Sequence, residues 1–230
     1  ESNWPQKSRL FDESGFVTLR NYGLDSWALL RFPSFRFRPA QSDSLHFDLW
    51  WQGRNILTDS GSYSYNCSKE LDDYFSGAAG HNVVQFDDRE SMPRIGKFLW
   101  GEWLKADSVA SVDLWTKERK WHASFTDYLG GKHTRRVSLE SEKWLISDEM
   151  SGFSTAKLRW HLEDRPWRLK GNVLESDDVR IEIRSAGQLS LRLDRGWKSL
   201  YYNRRAEIPV LEVLIESAPI EISTEIQLVK

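Results

Sequence analysis

Four residues stand out for the chemistry their spacing allows: His46, Asp48, Asp59 and His81. In Leu45-His46-Phe47-Asp48-Leu49-Trp50-Trp51, side chains of an extended strand alternate between faces. Leu45, Phe47, Leu49 and Trp51 then share a core face. His46, Asp48 and Trp50 share the other, with His46 and Asp48 about 7 Å apart at Cα. If Gln52-Gly53 is a two-residue hairpin loop, Trp51 pairs with Arg54 and His46 falls opposite Asp59. His81 opens a further strand, His81-Asn82-Val83-Val84. Two imidazoles and two carboxylates form a donor set for a divalent cation, zinc first. Each histidine taken alone reads as a satisfied polar side chain. Asp59-Ser60-Gly61 also reads as an Asx-turn. His122, His133 and His161 lie in alternating strands with no acid–histidine cluster beside them and read as structural.

The elements that must position these residues are strands. A period of two runs from Phe16–Arg20 and Trp27–Arg31 through Leu45–Trp51, Asn55–Asp59 and Val83–Phe86. It continues in Ser108–Leu114, Trp121–Tyr128, Thr134–Leu139, Trp144–Glu149 and Ala156–Leu162, and ends in Val179–Arg184, Leu189–Leu193, Val210–Ile215 and Ile220–Leu228. Ser68–Phe75 is the best helix candidate. The pattern predicts an all-β, mostly antiparallel two-sheet sandwich. Residues 1–15 read as a linker or boundary stretch and 16–230 as one domain, with a softer seam near Gly152–Ser154. The loop 60–80 breaks the regular spacing; its Tyr63, Tyr65, Tyr74 and Phe75 argue that it is ordered and functional.

Composition narrows the partners. Thirty-two basic residues against 34 acidic ones give no reason to expect nucleic acid. No apolar run is long enough to span a membrane. A single cysteine, Cys67, excludes an internal disulfide. Twelve tryptophans either fill a β core or stack on sugar rings. No nucleophile elbow, phosphate loop or dinucleotide fingerprint is present.

The run His46…Gly53…Asp59-Ser60-Gly61…Tyr65…His81-Asn82 resembles the heparinase II/III-like family over about 45 residues. The resemblance implies a β-sandwich that packs against an N-terminal helical toroid, with the active site between them. This chain resembles only the C-terminal half, so the helical domain of the same protein is an expected partner and an acidic polysaccharide the expected substrate. It implies β-elimination on uronic-acid-containing glycans, with His46 as the catalytic histidine and Asp59 and His81 at metal positions. Asp48 stands where some metal-binding members carry a second histidine. Tyr63, Tyr65 and Asn82 become candidates for substrate contact. A periplasmic or extracellular location is implied, and the isolated chain is expected to lack appreciable lyase activity. The alternative is a non-catalytic carbohydrate-binding or structural module of a surface-polysaccharide pathway.

Overall fold

The computed structural model describes residues 7–21, 23–110, 119–140 and 143–229. Part of the strand expected over Ser108–Leu114 lies outside them; the described part is Ala106–Val109.

The alternating segments become antiparallel strands. A five-stranded sheet is built in chain order from Arg9–Phe11, Phe16–Asn21, Ser26–Arg31, Phe47–Trp51 and Arg54–Leu57. Its first strand falls within the stretch expected as linker: Arg9 pairs with Thr18 and Phe11 with Phe16. An eight-stranded sheet has Arg119–Thr126, Lys132–Leu139, Lys143–Ser151 and Ile220–Leu228 at its centre. A four-stranded sheet orders Leu189–Tyr201, Arg204–Ile215, Ala156–His161 and Val84–Phe86.

The five- and four-stranded sheets join edge to edge. Leu57 bridges Leu162, and the Thr58 amide donates to the His161 carbonyl at 2.9 Å. The composite layer faces the eight-stranded sheet across aromatic side chains. Phe47 meets Trp144 at 5.8 Å and Trp160 at 6.1 Å between ring centroids. Alternation explains this core: Trp144, Ile146, Asp148 and Met150 are buried, as are Ile220, Ile222, Thr224 and Ile226. The architecture is thus the expected all-β sandwich. The helix Lys69–Ser76 covers the outer side of the four-stranded sheet, where the Tyr74 hydroxyl meets His161 at 3.1 Å. Among the described residues, no helix is long and apolar enough to cross a membrane.

One register differs from expectation. Trp51 does pair with Arg54, across a Gln52-Gly53 turn in which both residues have positive φ. Beyond Asn55 the ladder shifts, and Leu49 pairs with Leu57 rather than with Ile56. The bulge leaves Ile56 and Leu57 both buried. It also removes the predicted direct pairing of His46 with Asp59, because His46 lies just before its strand, in a turn.

Candidate functional site

The turn forms because Leu45 takes a left-handed conformation, φ 64°, and the His46 amide donates to the Asp43 carbonyl at 3.0 Å. It delivers the His46 imidazole to the junction of the two sheets of the composite layer. Asp59 leaves the neighbouring strand at the same junction. One of its oxygens caps the predicted Asx-turn, accepting from the Gly61 amide at 2.6 Å. The other faces both histidines: Oδ2 is 2.6 Å from His81 Nδ1 and 3.6 Å from His46 Nδ1. The site therefore forms through the turn and the loop, not through the predicted cross-strand pair. His46, Asp59 and His81 each offer a ligand atom, and these atoms lie within 4.8 Å of one another. His81 is fully buried and His46 nearly so, whereas the Asp59 side chain keeps 32% of its surface exposed. Asp59 is the member through which this group meets solvent.

Hydrogen bonds set the protonation states. Burial lowers the His46 pKa to about 3, so its ring is neutral near pH 7. The Asn82 amide donates to its Nδ1 at 3.0 Å, which places the ring proton on Nε2. That buried Nε2 has no hydrogen-bond partner, and neither does Nε2 of His81. Burial works against the Asp59 carboxylate, but the two imidazoles and the Gly61 amide outweigh it and hold its pKa well below the usual range. Burial likewise works against a charged His81, yet Asp59 raises its pKa.

Three expected residues do other work. Asp48 lies apart from this group: Asn55 donates to its carboxylate, and burial raises its pKa to about 7. The bulge that turns Asn55 toward Asp48 is the physical reason. Asn82, expected to touch substrate, is fully buried with its amide committed. Its Nδ2 donates to the carbonyls of Phe47 and Thr58, and its Oδ1 accepts from the His161 amide at 2.6 Å. It clamps three segments together and has little capacity left for a ligand. Tyr63 stacks on Phe75 at 5.2 Å, whereas Tyr65 is 71% exposed.

Two residues outside the expected site set support it: His161, read as structural, and Arg135. His161 donates from Nδ1 to Asn82 Oδ1 at 3.1 Å, which leaves Nε2 to accept from Tyr74. Burial lowers its pKa to about 3. Arg135 is fully buried in the eight-stranded sheet and reaches across the core. Its Nη1 donates to the Leu45 carbonyl at 2.6 Å and to the Asn82 carbonyl at 2.7 Å. One guanidinium thus ties down the residues that adjoin His46 and His81. Its other nitrogens form a fork on Asp148, at 2.7 and 3.0 Å. The only sequence signal was an arginine at an inward-facing strand position, which cannot be buried unpaired.

Two imidazoles and a carboxylate are ligand types for a divalent cation of the zinc type, and one nitrogen of each ring, Nε2, has no partner. The fit has one cost, since Nδ1 of His46 already holds the Asn82 amide.

The chain as a whole is similar to known proteins. The heparin-sulfate lyase of Bacteroides stercoris is 24% identical over 221 residues, spanning 86% of this chain and 30% of that protein. A solved heparinase III superposes with a TM-score of 0.80 at 16% identity, over 97% of this chain and 37% of the other. The heparan sulfate lyase of Pedobacter heparinus superposes at 0.75 with 18% identity, over 99% of this chain and 36% of the other. The chain thus spans about a third of the length of these relatives. The sequence pattern of the family described as heparinase II/III-like, C-terminal, matches residues 4–227, and the chain belongs to that family.

Proposed function

We propose that this chain is the β-sandwich part of a polysaccharide lyase that cleaves uronic-acid-containing glycans by β-elimination. The observation that carries the reading is the convergence of His46, Asp59 and His81 at a solvent-reaching junction, with hydrogen-bonding capacity left unused. The names of the relatives support the substrate class. β-Elimination removes a weakly acidic C5 proton beside a carboxylate and expels the O4 substituent. It needs a base, an acid and a group that offsets the carboxylate charge.

In this reading His46 is the catalytic histidine that the chain contributes. Its neutral ring presents the Nε2 proton as a hydrogen-bond donor, while the Asn82 amide holds the tautomer. Asp59 and His81 would hold a divalent ion, zinc first, whose positive charge would offset the glycan carboxylate. The Asp59 carboxylate also accepts from His81 Nδ1 and so fixes that ring with Nε2 free to ligate. The remaining acid–base groups come from the part of the protein beyond this chain, in the expected helical domain.

The test follows the near-UV absorbance of the unsaturated uronate product on a panel of acidic polysaccharides. The longer protein should turn over, and His46→Ala should lower its rate about 10²–10⁴-fold. The 230-residue chain alone should show no appreciable turnover. Full activity of the longer His46→Ala protein would overturn the assignment.

A further inference from the structure

The antiparallel pair Leu189–Tyr201 and Arg204–Ile215 projects a tip that the proposed chemistry does not use. The tip is seated on the loop that leaves Asp59. The Ser199 amide donates to the Ser60 carbonyl at 2.7 Å, and the Asn203 amide donates to the Tyr63 carbonyl at 2.8 Å. Gly61 bridges Ser199, with φ +80°, and a Cβ there would collide with the Ser199 carbonyl. The tip therefore extends the surface that begins at Asp59.

Its outer side carries aromatic rings that the core does not claim. Tyr65 is 71% exposed, Tyr202 64% and Phe98 48%. They touch one another: Tyr65 lies 6.0 Å from Phe98 and 6.1 Å from Tyr202 between centroids. Three hairpins or loops distant in sequence thus contribute to one exposed aromatic cluster, larger than scattered surface rings would make. Cations lie on two of the contributing segments. Lys97 sits over the Phe98 ring at 5.6 Å, and Arg204 pairs across the tip with Tyr201. Both are exposed, and among the described residues neither has a carboxylate partner.

We infer that this cluster is a second glycan-binding subsite, which grips an acidic polysaccharide at sugar units away from the His46 site. Flat rings with hydroxyl edges suit the faces of pyranose units. Unpaired cations on those segments suit carboxylate or sulfate groups. A neutral or cationic occupant would leave those charges unmatched. The inference draws on the proposed function only for the class of ligand, and it predicts binding rather than turnover.

The experiment is calorimetric titration of the 230-residue chain with a sulfated uronic-acid polysaccharide, and with neutral dextran as control. Binding to the acidic glycan and not to dextran is expected. Tyr65→Ala with Tyr202→Ala should weaken it about tenfold or more, from two lost ring contacts. Lys97→Ala with Arg204→Ala should weaken it and flatten its salt dependence. Arg136→Ala, whose exposed side chain pairs with Glu149 on the eight-stranded sheet, should leave it within about twofold, since distant surface sites contribute independently. All these aromatic and basic side chains are exposed, and an unchanged melting temperature confirms folding. Unaltered affinity in the aromatic double variant would overturn the inference. So would failure of the chain to bind any acidic glycan, which would point to a protein segment as the occupant of the tip. Loss of lyase activity in the longer His46→Ala protein bears only on the proposed chemistry, so the two readings fail separately.

Discussion

Two histidine–aspartate clusters lie on opposite sheets of this sandwich and behave differently. His133, Arg135 and Asp148 are all fully buried. Asp148 accepts from His133 at 2.7 Å and from both arms of the Arg135 fork, so its charge is matched inside the core. Around His46, Asp59 and His81 the same residue types are arranged differently. One carboxylate reaches solvent, and two imidazole nitrogens are left without partners. His133 Nδ1 also lacks a partner, but in a cluster sealed from solvent; at the junction the unused capacity lies beside a carboxylate that reaches solvent, where a ligand can enter. The link between the clusters is Arg135, which spends one nitrogen on the backbone of the site.

The largest expected effect separates the clusters by stability. Removing one partner of a buried charge network strands the other. Asp148→Ala or Arg135→Ala should therefore cost about 3–5 kcal/mol in denaturant unfolding. Asp59→Asn keeps a hydrogen-bonding side chain at a partly exposed position and should cost about 1–2 kcal/mol. Equal losses would erase the distinction between scaffold and site.

Acid should act on both regions. The folded pKa values of His46 and His161 lie near 3, below the ordinary 6.5, so the unfolded chain binds their protons first. Burial also lowers the His133 value. The stabilisation from these neutral rings is present above about pH 6.5 and is lost as pH falls toward 3. His81 has the opposite sign: its raised pKa gives stability below the ordinary value that is lost as pH rises through the folded one. Denaturant midpoints measured from pH 8 to pH 4 should fall on the acid side. The slope should lessen in His161→Gln. A midpoint independent of pH would contradict the burial of neutral imidazoles.

Much of the scaffold was legible in the sequence, and the physical reason is period two. Strands such as Thr134–Leu139 and Trp144–Glu149 each have one wet and one dry face, so alternation marks them. The helix candidate Ser68–Phe75 also corresponds closely to Lys69–Ser76. The bulge after Asn55 was not legible, because no glycine or proline marks it and the extra residue is an ordinary isoleucine. His161 read as structural, and its place beside the site was hidden because its partners, Tyr74 and Asn82, lie far away in sequence. The outer half of the Leu189–Tyr201 strand was not legible, because Asp194, Arg195 and Gly196 break the apolar alternation that ends at Leu193. Within the site, order along the chain suggested His46, Asp59 and His81. Only the coordinates separate Asp48 from them.

Asp48 supplies the smallest expected effect. Its folded pKa of about 7 exceeds the ordinary 3.8, so the fold opposes its charged form, increasingly as pH rises between those values. Asp48→Asn should raise stability at pH 8, with almost no change at pH 4. It should leave divalent-ion affinity within about twofold, since a group outside the ligand set contributes only through distant charge. A large loss of affinity would return Asp48 to the ligand set.

The most direct test of the distinction is a zinc titration of the protein freed of metal by chelator. The account predicts one ion per chain. His81→Ala should weaken binding at least about 100-fold, the upper range for losing even a residue that only holds a metal ligand in place. His133→Ala should leave binding within about twofold wherever the protein remains folded, because that imidazole serves Asp148. No saturable zinc binding, or binding that His133→Ala abolishes and His81→Ala spares, would contradict the assignment of the two clusters.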